Sequence, residues 1–325
     1  MEIDYSVIIR TTGKAKEKYR CLLTSISELK PQPKEVIVVL PEGYDLPNDK
    51  LGWESFYFSP KGMVIQRMTG IAKCKTRYAL ICDDDVRFDK NFVEKLYVPV
   101  AEGKCKMSVG PLYSFLTPKG ASALINAVML GAAPTIFHKN RYISIMRSTG
   151  YSYNRHLDLK KQKYYETQSA AWTCFFGEIE SIKAINFEDE IWIDSHGYSA
   201  LDDQTMFYKG WLKGINTIVV ADALYDHLDA KTSTQNNRFP FLFSSGYNRV
   251  VFWHRFIYMQ EQNLLGKILS ILCFMYRSLW LFVYDLIDLL RKRMNRKEFV
   301  IKLRGYFNGW KYVMSNEYRK LPPVV

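Results

Sequence analysis

The chain is best read outward from Tyr78–Phe88, YALICDDDVRF. An apolar, strand-forming run ends there in three consecutive aspartates, Asp83, Asp84 and Asp85. Adjacent carboxylates repel and raise one another's pKa. A solvated turn or a helix N-cap accounts for one aspartate, or two. A triplet closing a buried strand asks for something that relieves the repulsion, and a divalent cation does so. Mg2+ and Mn2+ prefer carboxylate oxygens, and Mg2+ is commonly held by one or two carboxylates together with substrate phosphates. The triplet therefore points to a metal–diphosphate site.

The flanking sequence supplies the frame. YSVIIRT (5–11), PKEVIVVLPEG (33–43), the short WESFYFSP (53–60) and RYALIC (77–82) read as strands. EKYRCLLTSISEL (17–29), MVIQRMTGIAKCK (63–75) and KNFVEKLYVPVAEG (90–103) have helical spacing. Continuous apolar strands separated by helices predict an α/β fold with a mostly parallel sheet covered on both faces. Ligands of such sheets bind at the carboxyl ends of the strands, where the aspartates lie.

Further along, the uncharged run 120–137 is long enough to cross a membrane, but Asn126, Gly131 and Pro134 dilute it. A buried or interfacial helix, broken near Gly131–Pro134, is expected. The basic, aromatic segment that follows, 138–165, reads as a flexible active-site loop or surface segment. CFFGEIESIKAI (174–185) is a strand entering a helix. ALDDQTMFYKGWLKG (200–214) opens a helix on Asp202 and Asp203 and stops it at Gly214. INTIVVADALYDHLD (215–229) is a strand that delivers His227 just past its end.

From Leu264 the pattern is helical. Leu264, Ile268, Leu272, Met275, Leu279 and Phe282 belong to one apolar stripe, with Lys267, Asp285, Asp288 and Lys292 opposite. Arg277, Asp285 and Asp288 interrupt it, so an amphipathic helix is expected rather than a membrane span. The net charge of +12 is concentrated here: residues 251–325 hold 13 Lys/Arg against 5 Asp/Glu, a net +8. Basic residues with Trp280, Phe307 and Trp310 suit an anionic bilayer surface; a helical hairpin packed on the main domain is the alternative. The expected organisation is a domain over 1–260, with a nucleotide half to about 110 and an acceptor half beyond it, then a basic amphipathic region over 261–325. The six cysteines show no C-x-x-C pair or zinc spacing and are expected reduced. MEIDYSVIIR shows no signal-peptide pattern.

Taken in order, these segments resemble the family 2 inverting glycosyltransferases of the GT-A fold, in particular bacterial surface-glycan members. YSVIIRTTGK is similar to their first strand and nucleotide-binding turn. The run KGMVIQRMTGIAKCKTRYALICDDDVRF, with Arg67 and Gly70, resembles the helix and strand that end in the D-x-D motif. LDDQTMFYKGWLKG resembles the acidic helix start that carries the catalytic base, and FSSGYNRVVFWHRF the stretch leading into C-terminal helices. The likeness covers residues 5–110 and 170–260.

The resemblance implies a set of roles. Asp203 would be the general base, with Asp202 beside it in the usual Glu position. Asp83 would contact ribose or base, Asp84 would assist or shape the turn, and Asp85 would bind Mn2+ or Mg2+. His227 would be a further metal ligand. Thr11 and Glu42 would hold the base, and Arg67 would lie near the diphosphate or base. Arg238 and the basic segment 139–163 would add cations. Arg10 stands where many members have Pro. The motif of processive synthases is not evident, so transfer of one sugar is expected, from a nucleotide-sugar (UDP-linked by preference) to a glycan or lipid-linked glycan. The expected location is cytoplasmic, peripheral on the inner face of the membrane.

Two other readings compete. A nucleotidyltransferase acting on sugar phosphates also uses acidic strand ends and a metal, but RTTGKAKEKYR has a single glycine where a glycine-rich phosphate loop belongs. A non-catalytic membrane- or nucleic-acid-binding protein explains the basic tail and not the acidic strand ends; no nucleic-acid module is recognisable.

Overall fold

The computed structural model of the chain describes residues 2–112, 121–133, 141–154, 161–229 and 238–325. In chain order its elements are β1 (Tyr5–Arg10), α1 (Glu17–Glu28), β2 (Glu35–Pro41), β3 (Ser55–Ser59), α2 (Met63–Lys73), β4 (Tyr78–Asp83), β5 (Val86–Phe88), α3 (Phe92–Ala101), β6 (Met107–Val109), α4 (Ala121–Val128), β7 (Ile143–Ile145), β8 (Ser152–Asn154), β9 (Tyr164–Thr167), β10 (Cys174–Glu178) and α5 (Ile179–Lys183). There follow a 3-10 segment (Phe187–Asp194), α6 (Asp202–Leu212), β11 (Thr217–Val220), β12 (Tyr225–His227), α7 (Phe239–Phe256), α8 (Leu264–Leu290), α9 (Arg296–Val313) and α10 (Asn316–Arg319).

Eight strands form one sheet in the order β3-β2-β1-β4-β10-β6-β11-β9. Six run in one direction; β10 and β9 run against them. The inner strands are buried on both faces because alternate residues serve two cores. Val7, Ile9, Val36, Val38 and Leu80 pack under α1 and α3. Ile8, Ile37, Val39 and Ile81 pack on the other side with Phe175, Phe207 and Phe252.

Three expectations need correction. The segment 215–229 is two strands, not one. After β11 the chain turns, and β12 leaves the main sheet to pair with β5, with Arg87–Asp226 bridged at 2.6 Å across the ladder. That register sets His227 opposite Val86, next to Asp85. The described part of the basic segment is also not a loose loop: 141–154 forms the β7–β8 hairpin with Ile143 and Ile145 buried. Residues 138–140 and 155–160 of it, and 120 and 134–137 of the uncharged run, lie outside the described residues. Finally, of the buried or interfacial helix expected over 120–137, the buried form is corrected: α4 is short and mostly exposed. It ends at Val128, none of its residues is buried, and Leu130 turns the chain with a positive φ.

The C-terminal helices are packed onto this body. Val313, Tyr318 and Val324 join the second core. α9 crosses α7 where both helices are stripped to glycine: a Cβ on Gly246 would meet the Lys302 carbonyl at 2.8 Å, and one on Gly309 the Tyr247 carbonyl at 2.8 Å. Phe274 of α8 stacks on Trp253 of α7 at 4.2 Å, with Trp310 of α9 against its edge. Trp310, expected at a membrane surface, is thus an interhelical side chain.

Candidate active site

The three aspartates at the end of β4 go three ways. All are buried. Asp83 Oδ1 accepts from Arg10 Nε at 3.1 Å and Arg67 Nη2 at 2.9 Å. Asp84 accepts from the Thr11 hydroxyl. Asp85 Oδ1 lies 3.4 Å from Nε2 of His227, the neighbour that β12 delivers. Burial pushes the Asp84 carboxyl up to about 6, against the opposing pull of Arg10 and Thr11. The hydrogen bond to Asp85 holds the His227 imidazole above its ordinary pKa. Among the described residues no group of three or more His, Cys, Asp or Glu side chains converges on a metal position.

Arg67 is the hub of the site. Its side chain is 2% exposed, binds Asp83 through Nη2 and Asp202 through Nη1, and lies over the Trp172 ring at 4.4 Å. It was expected near the diphosphate or base. Instead both terminal nitrogens are committed to the protein, and its work is to tie the β4 end to the α6 start. The helix that carries it, α2, has its N-terminus closed by Asp194, which accepts from the amides of Met63, Val64 and Ile65 at 2.9–3.2 Å. That helix end is therefore occupied by a protein carboxylate.

The start of α6 is built under strain. Leu201, immediately before Asp202, has φ 67°, a region non-glycine residues seldom adopt. It places Asp202 and Asp203 in the first turn. Asp203 Oδ1 accepts from the Gln204 amide at 2.6 Å. The Gln204 side chain donates to the Gly150 carbonyl at 2.8 Å and Asn248 of α7 to the Ala200 carbonyl at 2.8 Å, which fixes the turn. The two acids differ in their partners. Burial raises Asp202, with Arg67 pulling back. Burial followed by the charge of Asp202 pushes Asp203 to about 7. A carboxyl poised there can take up a proton at neutral pH.

A cleft of about 340 Å³ opens beside these groups, lined by Arg10, Lys14, Tyr44, Lys61, Tyr198 and Asp202 among others. Lys14 and Lys61 sit 5.0 and 5.6 Å from the Tyr44 ring centre. Two lysines around one aromatic ring suit a nucleoside diphosphate: the ring for a base, the cations for phosphate. Sequence reasoning missed all three. Lys14 ends the quoted first-strand motif, so its position was the available signal; Tyr44 and Lys61 are brought in by the turns after β2 and β3. Of the two residues expected to hold the base, Thr11 is buried with its hydroxyl on Asp84, and Glu42 is exposed just beyond β2. Arg238 pairs with Glu298 at 3.7 Å, and Arg141 with Glu166 at 3.0 Å. Neither is a spare cation for this cleft.

Residues 52–183 match the family described as glycosyl transferase family 2. Over that stretch the chain is similar to glycosyltransferase family 2. The match takes in Arg67 and the three aspartates and stops before Asp202, Asp203 and His227. Structural likeness extends over nearly the whole enzyme. Residues 1–349 of S. aureus TarS superpose with a TM-score of 0.51 at 15% identity, covering 94% of this chain and 81% of that one. The same protein in complex with UDP-GlcNAc gives 0.52 at 13% identity, covering 96% and 82%. The fold of this glycosyltransferase is accordingly GT-A. No curated protein matches the sequence.

Proposed function

We propose that this glycosyltransferase moves a single sugar, with inversion, from a nucleoside-diphosphate donor to a hydroxyl of a glycan or lipid-linked glycan. The observation that carries the reading is Asp203: a half-buried carboxyl at about 7, next to an acidic strand end and tied to it through Asp202 and Arg67. Asp203 takes the proton from the acceptor hydroxyl as its oxygen attacks the anomeric carbon, and the bond from that carbon to the diphosphate oxygen breaks. Lys14 and Lys61 receive the diphosphate, Tyr44 the base. Asp83, with one oxygen held by Arg10 and Arg67, offers the other to the ribose. A UDP-sugar is the first donor to try, since TarS, of the same fold, was solved with UDP-GlcNAc.

Asp85 and His227 fit a divalent cation. Their oxygen and nitrogen are 3.4 Å apart, close to the separation of neighbouring ligands around one ion, and donor phosphates and water can complete the shell. Bound Mn2+ or Mg2+ would offset the negative charge that develops on the departing diphosphate.

Donor turnover tests this directly. With Mn2+ present, the wild-type protein is expected to cleave or transfer from a nucleotide-sugar, and Asp203→Ala is expected to lose that activity while remaining folded. Equal turnover by the two proteins removes Asp203 from the chemistry. A wild type inert to UDP-, GDP- and dTDP-sugars, with and without sugar acceptors, removes the assignment as a whole.

A further inference from the structure

α8 is packed inside out. The positions it turns toward the body include Ser270, Phe274, Arg277 and Asp285, all buried. The two charges among them each reach a partner in the protein, although the Arg277 Nε is left without one. Asp285 accepts from Lys302 of α9 at 2.6 Å. Arg277 donates to the Met129 carbonyl at 3.3 Å and lies over the Tyr151 ring at 4.6 Å. The opposite side is apolar and uncovered. Leu265, Leu269, Leu272, Met275 and Leu279 are each more than half exposed, Leu272 at 61% and Leu279 at 60%. A soluble helix carries the reverse pattern. An apolar strip this long on a folded protein marks a contact with another phase or partner.

The occupant is indicated by the neighbouring helix. The row of α9 turned away from α7 reads Lys297, Val300, Arg304, Phe307, Lys311 and, at the C-cap, Met314, all exposed, a cation and an apolar side chain in alternation at helical spacing. A second protein copy would bury those cations against an identical cationic row. A bilayer takes both kinds of side chain at once: apolar groups enter the acyl boundary while lysine and arginine reach anionic headgroups. The tip of α4, which Arg277 clamps against α8 through Met129, adds exposed Leu124, Ile125 and Val128.

We infer that α8 lies in the plane of an anionic lipid surface, apolar side down, with the outward row of α9 supplying headgroup contacts. The helix has the length and composition of a membrane span. However, it is bound to the globular body from Ser270, against Trp253, through Phe282, against Phe299, to Asp285, so it cannot thread a bilayer without leaving α7 and α9. Arg277 shares the Tyr151 ring with Arg249 of α7, at 4.1 Å, and the Arg249 charge is felt by Asp203. The lipid-facing helix is thus linked through one aromatic ring to the neighbourhood of the acidic pair. The docking itself does not rest on the proposed reaction, and its test needs no donor or acceptor.

Co-sedimentation of the full chain with vesicles decides the matter. The wild type is expected to bind phosphatidylglycerol-containing vesicles at least about tenfold more tightly than pure phosphatidylcholine, and to lose that preference as salt is raised. Leu272→Glu with Leu279→Glu, two exposed positions, is expected to abolish binding with thermal stability unchanged. Arg304→Glu with Lys311→Glu is expected to remove the preference for anionic lipid. Alkaline carbonate is expected to release the protein from cell membranes. Absence of wild-type vesicle binding, or binding unaffected by the leucine changes, overturns the inference. So does retention after carbonate, which assigns a spanning helix, or a dimer that the leucine changes dissociate in a protein that ignores vesicles.

Discussion

Two clusters of buried charge lie within this enzyme, and they are built to opposite rules. In the first, Glu190 is fully buried between Lys209, at 2.8 Å, and Arg255, at 2.7 Å, with Trp192 donating to it and Asp189 completing a balanced set of two acids and two bases. Despite burial, its partners hold Glu190 below the ordinary carboxylate range. In the second, Asp83, Asp84, Asp85, Asp202 and Asp203 pair directly with only Arg10, Arg67 and His227, with Arg249 at a greater distance, and Asp84, Asp202 and Asp203 are all raised. The first cluster fastens the 3-10 segment, α6, α7 and the C-terminal tail, where Arg255 also reaches the Pro322 carbonyl. The second is left short of positive charge. Residue types are the same; what differs is whether the fold itself supplies the counter-charge.

The largest expected effect separates the two functions. Asp203→Asn should lower sugar transfer by about 10²–10⁴-fold, as measured by donor turnover, because a positioned base is lost. Its thermal stability at neutral pH should not fall, since a raised carboxyl is removed. Glu190→Ala should do the reverse. It strands Lys209 and Arg255 without their acid, and denaturant melts should show a loss of about 3–5 kcal/mol.

The pH dependence sharpens the contrast. Asp203 titrates near 7 in the folded chain and near 4 when unfolded. Between those values the folded state binds more protons, so this stabilising contribution is present below about pH 4 and fades as pH rises through 7. Glu190 is shifted the other way, and its contribution is present above its unfolded pKa and lost as pH falls through its lower folded one. The melting temperature of Asp203→Asn should therefore gain on wild type between pH 5 and pH 8. A gap that stays constant with pH breaks the comparison. Smallest in size is Tyr44→Ala, expected to weaken UDP binding by about tenfold by calorimetry through lost base stacking, with little change in kcat.

The sheet was legible because its strands are buried on both faces and so appear as uninterrupted runs such as EVIVVL and YALIC, which no surface loop imitates. Asp83–Asp85 and Asp202–Asp203 were legible because unrelieved charge beside such runs is conspicuous. The capture of Arg67 by two aspartates was not, because sequence separation of 135 residues from Asp202 carries no record of contact. Nor was the β12–β5 ladder that brings His227 to Asp85, since a turn inside INTIVVADALYDHLD leaves no glycine or proline to mark it. α8 is the instructive case. Its apolar stripe was read correctly as a stripe; which side faces the protein is decided by Arg277 and Asp285 finding Met129 and Lys302, and periodicity alone does not choose between in and out.

The central claim is that the uncompensated acidic cluster awaits a cation and a nucleoside diphosphate. Thermal unfolding with UDP, with and without Mn2+, in wild type and in Asp85→Asn tests it most directly, because a ligand that binds only the folded state raises its apparent stability. The account predicts a rise with UDP and Mn2+ together that far exceeds either alone, and its loss in Asp85→Asn. Equal rises with and without Mn2+, or an undiminished rise in Asp85→Asn, would contradict it.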